Sequence, residues 1–229
     1  MAAENRLILS LPRRDRMRLR AACDSVHLKF GAVLCTPSES TPHVYFPDDC
    51  FISLVTAIEG EPGFEVGMVG SEGMLGAQLA VGVGASPFLA SVQGAGTASC
   101  IGVAPFRREL ALSAALRQAL GRYVYVLMAQ LATSAACARF HSVGQRLARC
   151  LLMSHDRAHS DSFHLTHEFL ASMLGVRRVG ITRAAGDLQR DGLIRYHRGE
   201  ITVLDRAGLE EAACSCYAAD RHAYDRMMG

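Results

Sequence analysis

The chain has 229 residues, half of them hydrophobic, and its 24 lysines and arginines nearly balance 22 aspartates and glutamates for a formal net charge of +2. That length suits one large or two modest domains with a packed core. The near-neutral balance excludes a polycation, so any nucleic-acid footprint must be a local patch, and no uninterrupted apolar run of about 18 residues marks a membrane span.

The eight cysteines stand at 23, 35, 50, 100, 137, 150, 214 and 216. The arginine-rich N-terminus lacks the apolar core of an export signal, which predicts a cytoplasmic protein with reduced thiols. There is no CxxC pair and no zinc-like spacing. On a helix, Cys214 and Cys216 would point to different faces. The expectation is buried thiols, no metal and no cofactor.

In chain order, residues 1–22 read as a short arginine-bearing helix packing through Leu7, Leu11, Met17 and Leu19. From Val26 to Val103, short runs rich in Val, Ile, Phe, Tyr and Thr alternate with Gly, Pro, Asp and Ser breaks. The predicted strands are Val26–Phe30, Val44–Phe46, Ile52–Ile58, Phe64–Val69, Leu89–Gln93 and Ala98–Val103. Such a pattern indicates an antiparallel β-roll or barrel. Within it, Gly73 and Gly76 would let backbone N–H groups approach an anion at the start of a short helix; a tight structural turn is the alternative.

Pro105 to Ala138 reads as one long helix with a stripe of Leu110, Leu112, Leu116, Leu120, Val124, Leu127, Met128 and Leu131, widened by Tyr123 and Val126. A helix this long needs a partner for part of its stripe; burial entirely within one subunit is the alternative. Phe140–Gly144 is the expected hinge, and Gln145–His155 a further helix. The histidines at 155, 159, 164 and 167 spread over a loop and two elements, which favours solvated or capping roles over a metal site.

Thr166 is a fair N-cap for a helix carrying Phe169, Leu170, Met173 and Leu174, and Gly175 can end it. A second helix follows from about Arg177 to Asp191, stopped by Gly192. Two short helices joined by a tight turn form a helix-turn-helix. Arg177, Arg178 and Arg183 fall on the first turns of the second helix, where arginine can grip guanine or phosphate. Residues 192–196 and 201–204 then read as two strands joined by His197–Glu200, a wing with Arg198 at its tip. A terminal helix capped by Asp205 runs through Leu209, Tyr217 and Tyr224 to Met227 and is expected to pack on this winged domain.

The run Leu165-Thr166, Leu174-Gly175, Arg178 with Arg183 and Gly192-Leu193-Ile194 resembles the DNA-binding domain of the Crp/Fnr family of transcription regulators. Tyr45-Phe46-Pro47 and Gly70–Gly76 resemble, more weakly, that family's cyclic-nucleotide-binding-like β-roll. The resemblance implies an α+β fold: an antiparallel, cupin-like β-roll sensor domain at 1–104, a dimerisation helix and hinge at 105–142, and a winged helix-turn-helix at 143–229. It implies a dimeric, sequence-specific DNA-binding transcription regulator and no enzyme. Its partners are double-stranded palindromic operator DNA and a second copy of the chain, with RNA polymerase and an unidentified small-molecule effector as further candidates.

The expected DNA contacts are Thr166, Arg177, Arg178, Val179, Thr182, Arg183 and Arg198. The expected dimer contacts are Leu116, Leu120, Tyr123, Val124, Leu127 and Leu131. Val179 replaces the acidic residue that often follows the first arginine, so the usual operator sequence is not expected. The remaining expectation is a degenerate effector pocket at Gly73, Met74, Leu75 and Gly76. Met74 stands where cyclic-nucleotide binders place a ribose-binding glutamate. No lysine or arginine lies between Lys29 and Arg107 to pair with a phosphate. Cyclic AMP sensing is therefore not expected. A regulator that senses redox state or another small molecule through its cysteines or this pocket is the alternative.

Overall fold

A computed structural model of the chain describes residues 4–56 and 63–229. They form two compact units, one of residues up to 54, 68–128 and 224–229, the other of 55–67 and 129–223.

In the first unit, the single N-terminal helix of the sequence reading is two, α1 (Arg6–Leu9) and α2 (Arg13–Ala21). Pro12 divides them as the N-cap of α2, a position where its missing N–H costs nothing. Leu7, Ile8, Leu11 and Leu19 are buried, whereas Met17 is 60% exposed, so the Met17 packing expectation fails. Asn5 holds this segment to the roll. Its side-chain oxygen caps Ile8, its amide donates to the carbonyls of Pro47 and Gly73, and its backbone N–H donates to Asp48.

The roll contains β1 (Asp24–Leu28), β2 (Val33–Cys35), β3 (His43–Pro47), β4 (Phe51–Thr56), β5 (Phe64–Val69), β6 (Leu89–Gly94) and β7 (Gly96–Gly102). One sheet has the order β1-β7-β3, with both pairings antiparallel, and the other β2-β6-β4-β5. The expected strand to Ile58 ends in the description at Thr56; Ala57 and Ile58 lie outside the described residues. Sequence reading missed the three-residue β2.

The helical stretch predicted from 105 is α3 (Val103–Leu112) and α4 (Ala114–Phe140). The break is at Ser113, whose extended backbone and hydroxyl, accepting from the Leu116 N–H at 3.0 Å, start α4 as an N-cap does. Val44, Phe46, Met74, Ile101, Phe106, Leu116, Leu120 and Tyr123 share one apolar core with Leu7, Ile8, Leu11 and Leu19.

In the second unit, α5 (Val143–Ala158) starts at a capping box between Ser142 and Gln145. Then come β8 (Ser162–His164), α6 (His167–Leu174), α7 (Arg178–Arg190), β9 (Ile194–His197), β10 (Glu200–Val203), α8 (Arg206–Ala212) and α9 (Cys216–Met228). The wing is a three-stranded antiparallel sheet, β8-β10-β9; its strand β8 is absent from the sequence reading. The terminal helix is likewise two. Asp205 caps α8 through the Gly208 N–H. Tyr224–Gly229, the end of α9, belong to the first unit and not to the winged one.

Candidate nucleic-acid interface

Thr166 accepts from the Phe169 N–H at 3.1 Å and opens α6, and Gly175 ends it in the left-handed conformation at φ 59°. A guanidinium from α5, Arg146, donates to the carbonyl of Leu174 and so satisfies one of the groups that a helix C-terminus leaves open. Burial pushes the Arg146 pKa down. Arg177 is the N-cap of α7. That helix buries Ile181, Ala184, Ala185 and Leu188 at three- and four-residue spacing and turns Arg178, Val179, Thr182, Arg183 and Gly186 outward.

Arg177, Arg178, Arg183 and Arg198 are exposed, and none forms an ion pair among the described residues. Val179 is 72% exposed, an unusual place for a valine without a partner surface. Thr182 donates to the Arg178 carbonyl at 3.1 Å. At the wing tip, Arg198 and Gly199 both take positive φ, 49° and 89°, the backbone of a tight hairpin turn whose twist matches the strands. Arg198 thus projects from a turn that Gly199 makes possible.

Thr166, Arg177, Arg178, Val179, Thr182 and Arg183 therefore lie on the helix-turn-helix itself, and Arg198 stands apart on the wing. Sequence reading missed the residues that join the two. The His167 ring stacks on Tyr196 with centroids 4.0 Å apart and planes at 16°. Its Nδ1 lies 3.1 Å from the Thr182 hydroxyl, and its Nε2 is buried without a hydrogen-bond partner among the described residues. Burial, and then the charge of Arg178, hold the His167 pKa below its ordinary value. Gln189 accepts from the Tyr196 N–H at 2.8 Å and ties α7 to β9. A histidine at the start of a helix and a tyrosine on a strand gave no sequence signal of their contact.

Two other histidines are also engaged, His155 with Asp161 and Arg206, and His164 with Glu200. Behind the interface, Arg149 on α5 pairs with Asp220 on α9. Arg206 and the Tyr217 hydroxyl both donate to the Asp156 carboxylate, at 2.7 and 2.8 Å. Burial raises Asp220, with the Arg149 charge opposing it.

Two sets of expected site residues are buried or half-buried. Leu116, Leu120 and Tyr123 are at most 2% exposed and sit in the first unit's own core, with Val124 and Leu127 packed against it; Leu131 is half-buried. Among the exposed positions of α4 are Ala114, Gln118, Gly121, Tyr125, Met128, Ala132, Ala135 and Arg139. They alternate four and three residues apart, the spacing of a coiled-coil seam. Tyr125 and Met128 are 55% and 63% exposed.

The expected effector pocket is filled. Met74 and Leu75 are core residues, and a Cβ on Gly73 would collide with the Tyr123 ring. The N–H groups of Gly73 and Leu75 already donate to the carbonyls of Gly70 and Tyr45. Only a five-residue 3-10 turn, Ala77–Val81, follows. The glycines make a structural turn and not an anion cradle.

Four groups from the cysteines and a histidine also come together. Cys214 precedes α9 and Cys216 begins it, so the two do not share a helix. Cys137, His141, Cys214 and Cys216 present ligand atoms all within 4.8 Å of one another. Burial pushes the Cys137 thiol up to about 12.

The Crp-like helix-turn-helix domain family matches residues 145–212. A transcriptional regulator of Thermus thermophilus, SdrP, is 35% identical over 74 residues, which cover 30% of this chain and 37% of that protein. Among solved structures, FixK2 of Bradyrhizobium japonicum superposes with a TM-score of 0.71 at 11% identity, covering 84% of this chain and 98% of that one. TTHB099 of Thermus thermophilus, a transcriptional regulator of the CRP family, gives 0.68 at 18% identity, over 82% and 96%.

Proposed function

We propose that the chain, whose residues 145–212 match the Crp-like helix-turn-helix domain family, is a DNA-binding transcription regulator of the Crp/Fnr type that acts as a homodimer on palindromic operators. The observation that carries this reading is the outward face of α7. Arg178 and Arg183 there have no ion-pair partner among the described residues, and the buried face is committed to the fold. Arg178 and Arg183 would read base edges in the major groove, while Arg177 and Arg198 would hold phosphates. Val179 offers an apolar contact, suited to a thymine methyl. Thr166 and Thr182 already make bonds within the protein, so they position backbone and neighbours at the DNA.

The second copy would pack along the Gly121, Tyr125, Met128, Ala132 and Ala135 seam, where small residues admit close helix approach. Pairing two such chains presents two recognition helices to successive major grooves. In functional terms residues 1–104 form the sensor domain, 105–142 the dimer helix and hinge, and 143–229 the DNA-binding domain. Cyclic AMP is not the effector, because its ribose and phosphate partners are missing and the cassette turn is packed shut. The protein works by binding and not by catalysis, in the cytoplasm, with RNA polymerase as the partner that reads its position on DNA. The described helices include none long and apolar enough to cross a membrane.

Selection of genomic fragments by the purified protein tests the proposal. A palindrome with half-sites about one helical turn apart is the expected product. Binding without sequence preference at every salt concentration would overturn it.

A further inference from the structure

Cys137 lies on the last turn of α4 and His141 four residues on, where the His141 N–H still donates to the Cys137 carbonyl at 3.2 Å. Residues i and i+4 share one helical face. Cys214 and Cys216 come to that face from the junction of α8 and α9. The Cys137 and Cys214 sulfurs are 3.5 Å apart, and so are the Cys216 sulfur and His141 Nδ1. A tetrahedral ion with metal–sulfur bonds of about 2.3 Å and metal–nitrogen bonds of about 2.0 Å separates its ligands by about 3.5–3.8 Å. The closest pairs already stand near that separation, and with all four atoms within 4.8 Å of one another no pair needs to close by more than about an ångström.

We propose that Cys137, His141, Cys214 and Cys216 form a Cys3His site for a soft divalent ion, zinc before others. Three thiolates and one imidazole select zinc over the hard oxygen-seeking cations. Four protein ligands leave no open position, so the site is structural and not hydrolytic. Loading it releases three thiol protons to solvent and leaves a net charge of −1 on the ion and its ligands. Arg146 and Arg149 on α5 act electrostatically on Cys137 and Cys214 and offset that charge. A cleft lined by Glu65, Ser134, Cys137, Arg146 and Arg149 gives an approach route. The ion would staple the end of α4 to the α8–α9 junction. It stands apart from the DNA-binding reading, because metal content is measured without DNA.

The test uses the full chain purified under reducing conditions from zinc-supplemented cells and dialysed against metal-free buffer. Elemental analysis should find one zinc per chain. Cobalt added to the chelated protein should give the intense visible bands of a tetrahedral thiolate site. The paired change C214S/C216S should bring zinc near zero, H141C should retain it with a shifted cobalt spectrum, and C23S should leave both unchanged. The cobalt spectrum of the unmutated chain decides the matter even where a variant fails to fold. Bands of an octahedral ion, no stoichiometric metal, or zinc retained by C214S/C216S would each overturn the proposal. So would a Cys137–Cys214 disulfide in the metal-free chain that persists when zinc and reductant are supplied together.

Discussion

The phenol ring of Tyr123 lies against Gly73 so closely that no Cβ fits there. A helix residue thus occupies the space beside the glycine turn that a ligand would have to enter. Cyclic AMP and cyclic GMP at millimolar concentration should therefore leave the melting temperature unmoved. A ligand at a hundred times its Kd would stabilise by about 2.7 kcal/mol, easily seen by calorimetry. Gly73→Ala should destabilise by about 1–3 kcal/mol through overpacking.

Arg178→Ala and Arg183→Ala should each weaken operator binding by about 1–3 kcal/mol, roughly 5- to 150-fold, if the contacts are bidentate. Both side chains are exposed, so chemical denaturation midpoints should stay where they were. Gel shifts on the selected operator decide the point, and unchanged affinity in both variants would sink the assignment of α7. Arg198→Ala should act differently. It should lower affinity for all sequences alike and reduce the salt slope by about one.

The seam on α4 separates two kinds of apolar residue. Met128→Glu with Ala132→Glu should convert dimer to monomer in sedimentation while the circular dichroism of each chain is kept. Leu120→Ala should instead cost about 2–5 kcal/mol of stability, because its side chain is fully buried within one subunit. A dimer that survives the glutamates would place the interface elsewhere.

The Arg149–Asp220 pair, 2.7 Å long with both side chains about nine-tenths buried, predicts an asymmetric result. Asp220→Ala should cost about 3–5 kcal/mol by leaving a buried guanidinium uncompensated, whereas replacing both partners by apolar residues should recover most of that loss. Urea unfolding of the single and double variants reads it directly.

His167 should make stability depend on acidity. Its folded pKa is depressed by burial and by Arg178, so the unfolded chain takes up that proton first as the pH falls. Its contribution is complete above the unfolded value of about 6.5 and is lost as the pH falls through the folded one. His167→Gln should flatten the stability profile in that window.

What was legible in the sequence was local. Thr166, Gly175 and Gly192 punctuate the helix-turn-helix within thirty residues, and Gly199 marks the wing turn, so caps and turns spoke for themselves. The phase of α4 was not legible, because its largest apolar residues, Leu116, Leu120 and Tyr123, serve their own subunit. The proposed seam is written in Gly, Ala, Gln, Tyr and Met, which periodicity of large side chains overlooks. The cysteine cluster was hidden by distance along the chain: Cys137 and Cys214 are 77 residues apart. Only the folded path from α4 to α9 makes them neighbours.

The division of the chain into units carries a consequence for anyone who would exchange its parts. The backbone passes from one unit to the other after residues 54, 67, 128 and 223. A splice at residue 143 would move the recognition helix and wing without residues 55–67 and 129–142 of their own unit, and would drag along 224–229 from the other. Cys137 and His141 would stay behind while Cys214 and Cys216 left. The two units of this protein are not beads on a string but two knots tied in one cord, and a transplantable winged unit must be drawn from two stretches of sequence, the remainder from three.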